Sequence, residues 1–181
     1  LYMVHWPLHP TALTQFGGRA ENAQAPPRLE DVVDCLNRCV EKGKVRHLGV
    51  SNFGPRPLEE IRAAGLTVFA NQLPYSPVAR AVEYEILPYC VREGIGVFGY
   101  MSLWQGLLSG RFRKIEEVPL LRRRTRQFSA FTNPLSRHGE PGAERELQSL
   151  LDQMWDLSRA SGLSLVDLAV GWLVSKAGLS C

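Results

Sequence analysis

Residues 45–53 read Val45-Arg46-His47-Leu48-Gly49-Val50-Ser51-Asn52-Phe53. A β-prone run from Val45 to Val50 stops abruptly on two small polar residues, Ser51 and Asn52. Gly54 and Pro55 then break the chain, and Pro57 opens a helical pattern. Ser51 and Asn52 are good helix-capping residues in their own right. They are also polar groups at the C-terminal end of a buried strand, where parallel α/β folds gather their chemistry.

The arrangement recurs on both sides. Leu1 to His5 reads as a buried strand stopped by Pro7 and Pro10. Residues 11–28, with Gly17-Gly18 and Pro26-Pro27, read as a loop. Leu29, Val32, Val33, Leu36, Cys39 and Val40 follow helical spacing up to Gly43. After the strand Val45–Val50, a helix from Pro57 to Ala64 is stopped by Gly65, and a third strand runs from Thr67 to Gln72. A helix from Val82 to Arg92 ends at Gly94, and a fourth strand spans Ile95–Tyr100. His5, Ser51-Asn52, Asn71-Gln72 and Tyr100 are thus strand-end residues. Strands alternating with helices imply a parallel sheet, right-handed crossovers and one rim carrying all the strand ends.

The second half is less regular. Residues 101–142 read as one long loop. Gly106 and Gly110 suit backbone approach to a phosphate, and the Arg, Pro, Ser and Asn of 111–142 suit a lid. The run Arg122, Arg123, Arg124, Arg126 reads first as a solvated face, with contact to an anionic ligand as the other reading. A helix from Ala143 to Ala160 carries Leu147, Leu150, Leu151, Met154 and Leu157 on one face and ends at Gly162. Ser164, with Asp167 three positions on, starts a last helix to Lys176 that is apolar on nearly every side and calls for neighbours to cover it.

The totals exclude several classes. With 181 residues, 45% hydrophobic and 22% charged, the chain suits one globular domain. A formal charge of +3 points to neither a nucleic-acid nor a membrane-surface protein. No apolar run approaches the roughly 20 residues a bilayer span requires. Cys35, Cys39, Cys90 and Cys181 lack metal or disulfide spacing and read as reduced thiols packed on or near a core, in keeping with the cytoplasm. His5 and His9 make no metal pair, because the prolines between and around them exclude the helix that would align them. The first residues already read as mid-strand and Cys181 follows an apolar helix, so both ends read as cut and the chain as a fragment.

His5-Trp6-Pro7, then Gly43-Lys44-Val45-Arg46-His47-Leu48-Gly49-Val50-Ser51-Asn52-Phe53, then Asn71-Gln72-Leu73-Pro74-Tyr75-Ser76, then Gly99-Tyr100-Met101-Ser102-Leu103-Trp104-Gln105-Gly106-Leu107-Leu108-Ser109-Gly110-Arg111-Phe112 together resemble an aldo-keto reductase. The order and placement of the four motifs make the match specific, and it covers essentially all of residues 1–181. The bacterial oxidoreductases of the broader family are the most similar branch. The resemblance implies a (β/α)8 TIM barrel, here truncated at both ends and running from about strand four to the helix before strand eight. It implies NADP(H) bound without a Gly-x-Gly-x-x-Gly motif, and hydride transfer to a small aldehyde or ketone. By the same resemblance His5 is the active-site histidine. Ser51, Asn52 and Gln72 hold the nicotinamide carboxamide, and Tyr100 stacks beneath the ring. Ser102, Leu103, Gln105, Gly106 and Leu108 follow the pyrophosphate.

The family's Tyr-Ser-Pro-Leu is Tyr100-Met101-Ser102-Leu103 here, which alters the phosphate contacts. The family's Asp, proton-donating Tyr and Lys lie on the first three strands. None of Tyr2, Tyr75, Tyr84, Tyr89 or Tyr100 matches that Tyr. The fragment alone is therefore expected to be inactive. A redox-sensing subunit of the potassium-channel beta type, or a gene remnant, are the alternatives. Substrate identity and oligomeric state are left open by the residues.

Overall fold

The computed structural model describes residues 1–9, 26–136 and 138–181. Most of the loop expected at 11–28 lies outside them. The described residues belong to two compact units: Leu1–Pro74 with Arg80–Tyr100 and Lys176–Cys181, and Tyr75–Ala79 with Met101–Ser175.

The first unit is a parallel sheet with helices between its strands. β1 (Tyr2–Val4) is followed by α1 (Leu29–Glu41), β2 (Leu48–Ser51), α2 (Pro55–Ala63), β3 (Val68–Pro74), α3 (Ile86–Arg92) and β4 (Gly96–Tyr100). The sheet order is β1-β2-β3-β4, and every pairing is parallel. This is the βα alternation the sequence calls for, and it is part of a barrel wall. Beyond β4, Ser180 N and Cys181 N donate to Val97 O at 2.8 and 3.3 Å, and Gly99 N donates to Cys181 O at 2.7 Å. The last two residues thus lie along the β4 edge as another strand would.

Register sorts the side chains onto two faces, because paired residues in a parallel ladder project the same way and alternate along each strand. Val4, Val50, Asn71 and Val97 form one rung. Val50, Asn71 and Val97 are fully buried there with Leu73, Leu58, Ile61 and Cys90. Burying each such aliphatic side chain contributes roughly 1.5–3 kcal/mol. Met3, Gly49, Ala70 and Gly96 form a rung on the opposite face. It is built from small residues for a steric reason: a Cβ on Gly49 would stand 2.9 Å from the Ala70 carbonyl oxygen. Ser51, Gln72 and Phe98 make the next rung on that face, with Pro74 and Tyr100 above it.

Two boundaries and the burial of the cysteines differ from the sequence reading. Pairing of the second strand begins at Leu48, not Val45, because Lys44 N and Val45 N both return to Cys39 O and belong to the exit of α1. The helix expected over 82–92 is a 3-10 turn, Ala81–Glu83, followed by α3, with Glu85 at φ −133° between them. The restart places Pro88 in the first turn of α3, where its missing N–H leaves no helical bond unmade. The cysteines are free, but only Cys90 is buried. Cys39 is half-buried, and Cys35 and Cys181 are exposed.

The second unit packs α4 (Glu144–Ser161) and α5 (Leu165–Val174) against irregular chain. Ser164 and Asp167 form the expected reciprocal cap of α5. Residues 111–142 contain no strand or α-helix among those described, yet they are packed. Phe112, Ile115, Val118 and Phe128 share one core with Leu147, Leu151, Met154, Leu165 and Ala169. Gln148 fastens this segment to α4, accepting from Ile115 N at 2.9 Å and donating to Arg113 O at 3.1 Å. On α5, Val170 and Val174 stay 39% and 70% exposed, which leaves part of that apolar helix uncovered.

Candidate functional site

Ser51 and Asn52 occupy the rim at the end of β2. Asn52 has φ +64°, a left-handed conformation that Asn tolerates better than most residues and that costs of order 1–3 kcal/mol. Two clamps hold it there. On one side, Asn52 N and Ser51 Oγ both donate to Gln72 O, at 2.9 and 3.0 Å. On the other, Asn71 Nδ2 donates to Phe53 O at 2.8 Å while Phe53 N donates to Asn71 Oδ1 at 3.4 Å. Asn71, wholly buried, behaves as a piece of backbone that pairs with the residue after Asn52.

The Asn52 carboxamide draws three strand ends together. Its Nδ2 donates to His5 O at 3.1 Å and to Ser51 Oγ at 3.0 Å. Its Oδ1 accepts from the Tyr100 hydroxyl at 2.7 Å. Burial pushes the Tyr100 phenol above its ordinary pKa, so it is protonated and able to donate at neutral pH. His5, Ser51, Asn52, Gln72 and Tyr100 are therefore gathered at one rim, as the strand-end reading requires.

What these residues leave free defines the chemistry. The half-buried Gln72 amide has no hydrogen-bond partner among the described residues, and it stands on the face that carries Ser51. Asn52 Oδ1 retains one lone pair. The His5 ring is exposed, 5.5 Å from the Trp6 ring. A planar carboxamide, with one donor and one acceptor, fits what Gln72 and Asn52 leave unused.

In the second unit, the turn Trp104–Ser109 is wound unusually. Met101, Trp104, Gln105 and Gly106 all have positive φ (58°, 46°, 54° and 92°). Trp104 N donates to Met101 O, and Gly106 N and Leu108 N both donate to Leu103 O. Gly106 suits its place because φ there is +92°, a conformation that residues with a side chain rarely adopt. Arg122 Nη1 donates to Gln105 O at 3.3 Å. Ser102, Leu103 and Gln105 are half-buried. The Leu108 side chain is fully buried in the core, so only its backbone can meet a ligand.

The arginine run is solvated, as expected, only at Arg122 and Arg126, which are exposed. Arg123 and Arg124 are half-buried, and their Nε atoms are buried without a hydrogen-bond partner, as are Thr125 Oγ1 and Gln127 Oε1. A buried N–H without an acceptor is costly, and these two Nε atoms lie out of contact with solvent.

The family model described as Aldo/keto reductase family matches residues 1–181. The chain belongs to the aldo/keto reductase family. The chain is 27% identical over 183 residues to aldo-keto reductase YhdN of Bacillus subtilis, covering 98% of this chain and 46% of that protein. It is 27% identical over 179 residues to the NADH-specific methylglyoxal reductase of Escherichia coli, covering 99% and 47%. The glycerol dehydrogenase AKR11B4 of Gluconobacter oxydans shares the fold, with a TM-score of 0.71 at 23% identity over 98% of this chain and 46% of that one. The chain spans about half the length of the curated relatives it matches. Among the described residues no single helix is long and apolar enough to cross a membrane.

Sequence reasoning had not assigned Asn71 a role. The signal was there: Asn71 stands in register with Val50 and Val97, a polar residue on an otherwise aliphatic face. The bond from Tyr100 to Asn52 carried no sequence signal, since it joins strands that are not neighbours in this aldo/keto reductase sheet.

Proposed function

We propose that this chain is the cofactor-holding portion of an aldo/keto reductase that reduces a small aldehyde or ketone with a nicotinamide dinucleotide, NADPH in preference to NADH. The observation that carries the reading is the rim itself: one unpartnered carboxamide, Gln72, beside a prearranged acceptor, Asn52 Oδ1. Bound nicotinamide supplies the hydride. Gln72 and Asn52 orient its carboxamide and so decide which ring face meets the substrate. Tyr100 offers its ring as a platform, and His5 donates a hydrogen bond to the substrate carbonyl oxygen.

The turn Ser102–Leu108 takes the phosphates, with the exposed Arg122 guanidinium beside it, where Nη1 donates to Gln105 O. The E. coli relative is by name NADH-specific, while the preference for NADPH is supported by the name of another relative, aldo-keto reductase yakc [NADP(+)] of Schizosaccharomyces pombe. Small oxygenated substrates are supported by the name of one relative, a methylglyoxal reductase. The cytoplasm is the proposed compartment, supported by four free cysteines.

The test is a fluorescence titration with NADPH and with NADH. Saturable binding, at least tenfold tighter for NADPH and weakened at least tenfold by Gln72→Ala, is the expected result. No binding of either dinucleotide, or binding indifferent to Gln72, refutes the reading.

A further inference from the structure

The hydrogens around Asn52 can be assigned by elimination. His5 O is a backbone carbonyl and only accepts, so the Asn52 atom 3.1 Å away is the nitrogen. Ser51 Oγ spends its own hydrogen on Gln72 O and so accepts from the same nitrogen. Both Nδ2 hydrogens are then used within the protein. Oδ1 must face Tyr100, and the Tyr100 hydroxyl must be the donor, at 2.7 Å. This last bond crosses the sheet. β2 and β4 are separated by β3, so the phenol reaches across two strand spacings of about 4.8 Å each, over the strand that bears Gln72.

We propose that the Tyr100 hydroxyl is a positioning group. By donating across β3 to Asn52 Oδ1, it holds the Asn52 carboxamide so that Asn52 offers a ligand an acceptor only, and Gln72 must supply the donor. This rests on the cofactor reading above and deepens it. It divides between two residues the pairing that each amide is able to make alone. It also sets the Tyr100 hydroxyl apart from its ring: the ring is a platform, while the hydroxyl acts through Asn52. Because Asn52 Nδ2 also holds His5 O, the same bond steadies the backbone that carries the active-site histidine.

The test is a double-mutant cycle in the full chain with Tyr100→Phe and Asn52→Gly. Phenylalanine keeps the ring and removes only the hydroxyl. Glycine removes the carboxamide while accepting φ +64° without strain. Tyr100→Phe is expected to weaken NADPH roughly fivefold, the scale of one hydrogen bond, and to have no further effect once Asn52 is glycine. A second readout needs no cofactor. The side-chain amide resonances of Asn52, identified by their loss in Asn52→Gly, are expected to move in Tyr100→Phe. Equal effects of Tyr100→Phe in both backgrounds, no effect in either, or unmoved Asn52 amide resonances would each overturn the proposal. If the unmodified chain binds neither dinucleotide, the cofactor reading falls and this proposal falls with it. If it binds and Tyr100→Phe is silent, only this proposal falls.

Discussion

In the sheet unit the polar side chains at the rim close on one another. Asn71 pairs with Phe53, Ser51 with Gln72 O, and Asn52 with His5 O and Tyr100. In the second unit Arg123 Nε, Arg124 Nε, Thr125 Oγ1 and Gln127 Oε1 are buried with no partner among the described residues. The first arrangement is finished before any ligand arrives; only Gln72 and one lone pair of Asn52 are held back. The second leaves buried polar atoms unmet among the described residues. Preorganisation thus belongs to the sheet unit, whose rim side chains are held in one arrangement.

The hardest test of that contrast is Asn71→Leu. It keeps the volume but removes both bonds to Phe53, whose N–H and carbonyl are left in the core. Each unmet buried group costs about 1–3 kcal/mol, so a loss of about 3 kcal/mol in urea unfolding is expected. A loss under about 1 kcal/mol would mean that the clamp on Asn52 is not what holds the rim.

Gln72→Ala inverts the pattern. The amide has no partner to lose, so stability is expected to stay within about 0.5 kcal/mol. NADPH affinity is expected to fall at least tenfold, about 1.4 kcal/mol. A marked loss of stability with unchanged affinity would place Gln72 among the residues that are finished internally.

Arg124→Met sharpens the other side. Removing a buried N–H that has no acceptor among the described residues is expected to raise the stability of the chain by about 1 kcal/mol, read by urea unfolding. Destabilisation by Arg124→Met would show that the Nε is supported in a way that the contrast denies.

The two units were unequally legible in the sequence for related reasons. β1 to β4 announce themselves by short apolar runs stopped by polar or proline residues, and α1, α2 and α4 by helical spacing with glycine stops. These signals are local. The limits of that reading lie where tertiary contacts decide: Val45 is drawn into the exit of α1, and Pro88 forces the helix to restart. The rim residues were legible as residues, but their division of labour was not, because it depends on which way one amide points. In the second unit three non-glycine residues, Met101, Trp104 and Gln105, adopt positive φ against their own preference. No propensity foretells that. Nor does a run of arginines reveal that two of its members turn inward.

The smallest expected effect concerns Tyr100 and pH. Burial raises its phenol pKa in the folded chain above the ordinary value of 10.0. Below about pH 10 both folded and unfolded chains hold the proton, so this group gives stability no slope there. Above it the unfolded chain releases the proton first and binds fewer protons than the folded one, so stability falls as pH rises. Tyr100→Phe has no proton to release. The stability difference between the unmodified chain and Tyr100→Phe is therefore expected to be flat from pH 6 to about 9 and to narrow above about 10, checked by urea unfolding across that range. A difference that changes near neutrality would mean that the phenol ionises there, and an ionised phenol cannot donate to Asn52 Oδ1. The rim of the sheet unit would then share the unfinished character of the arginine run.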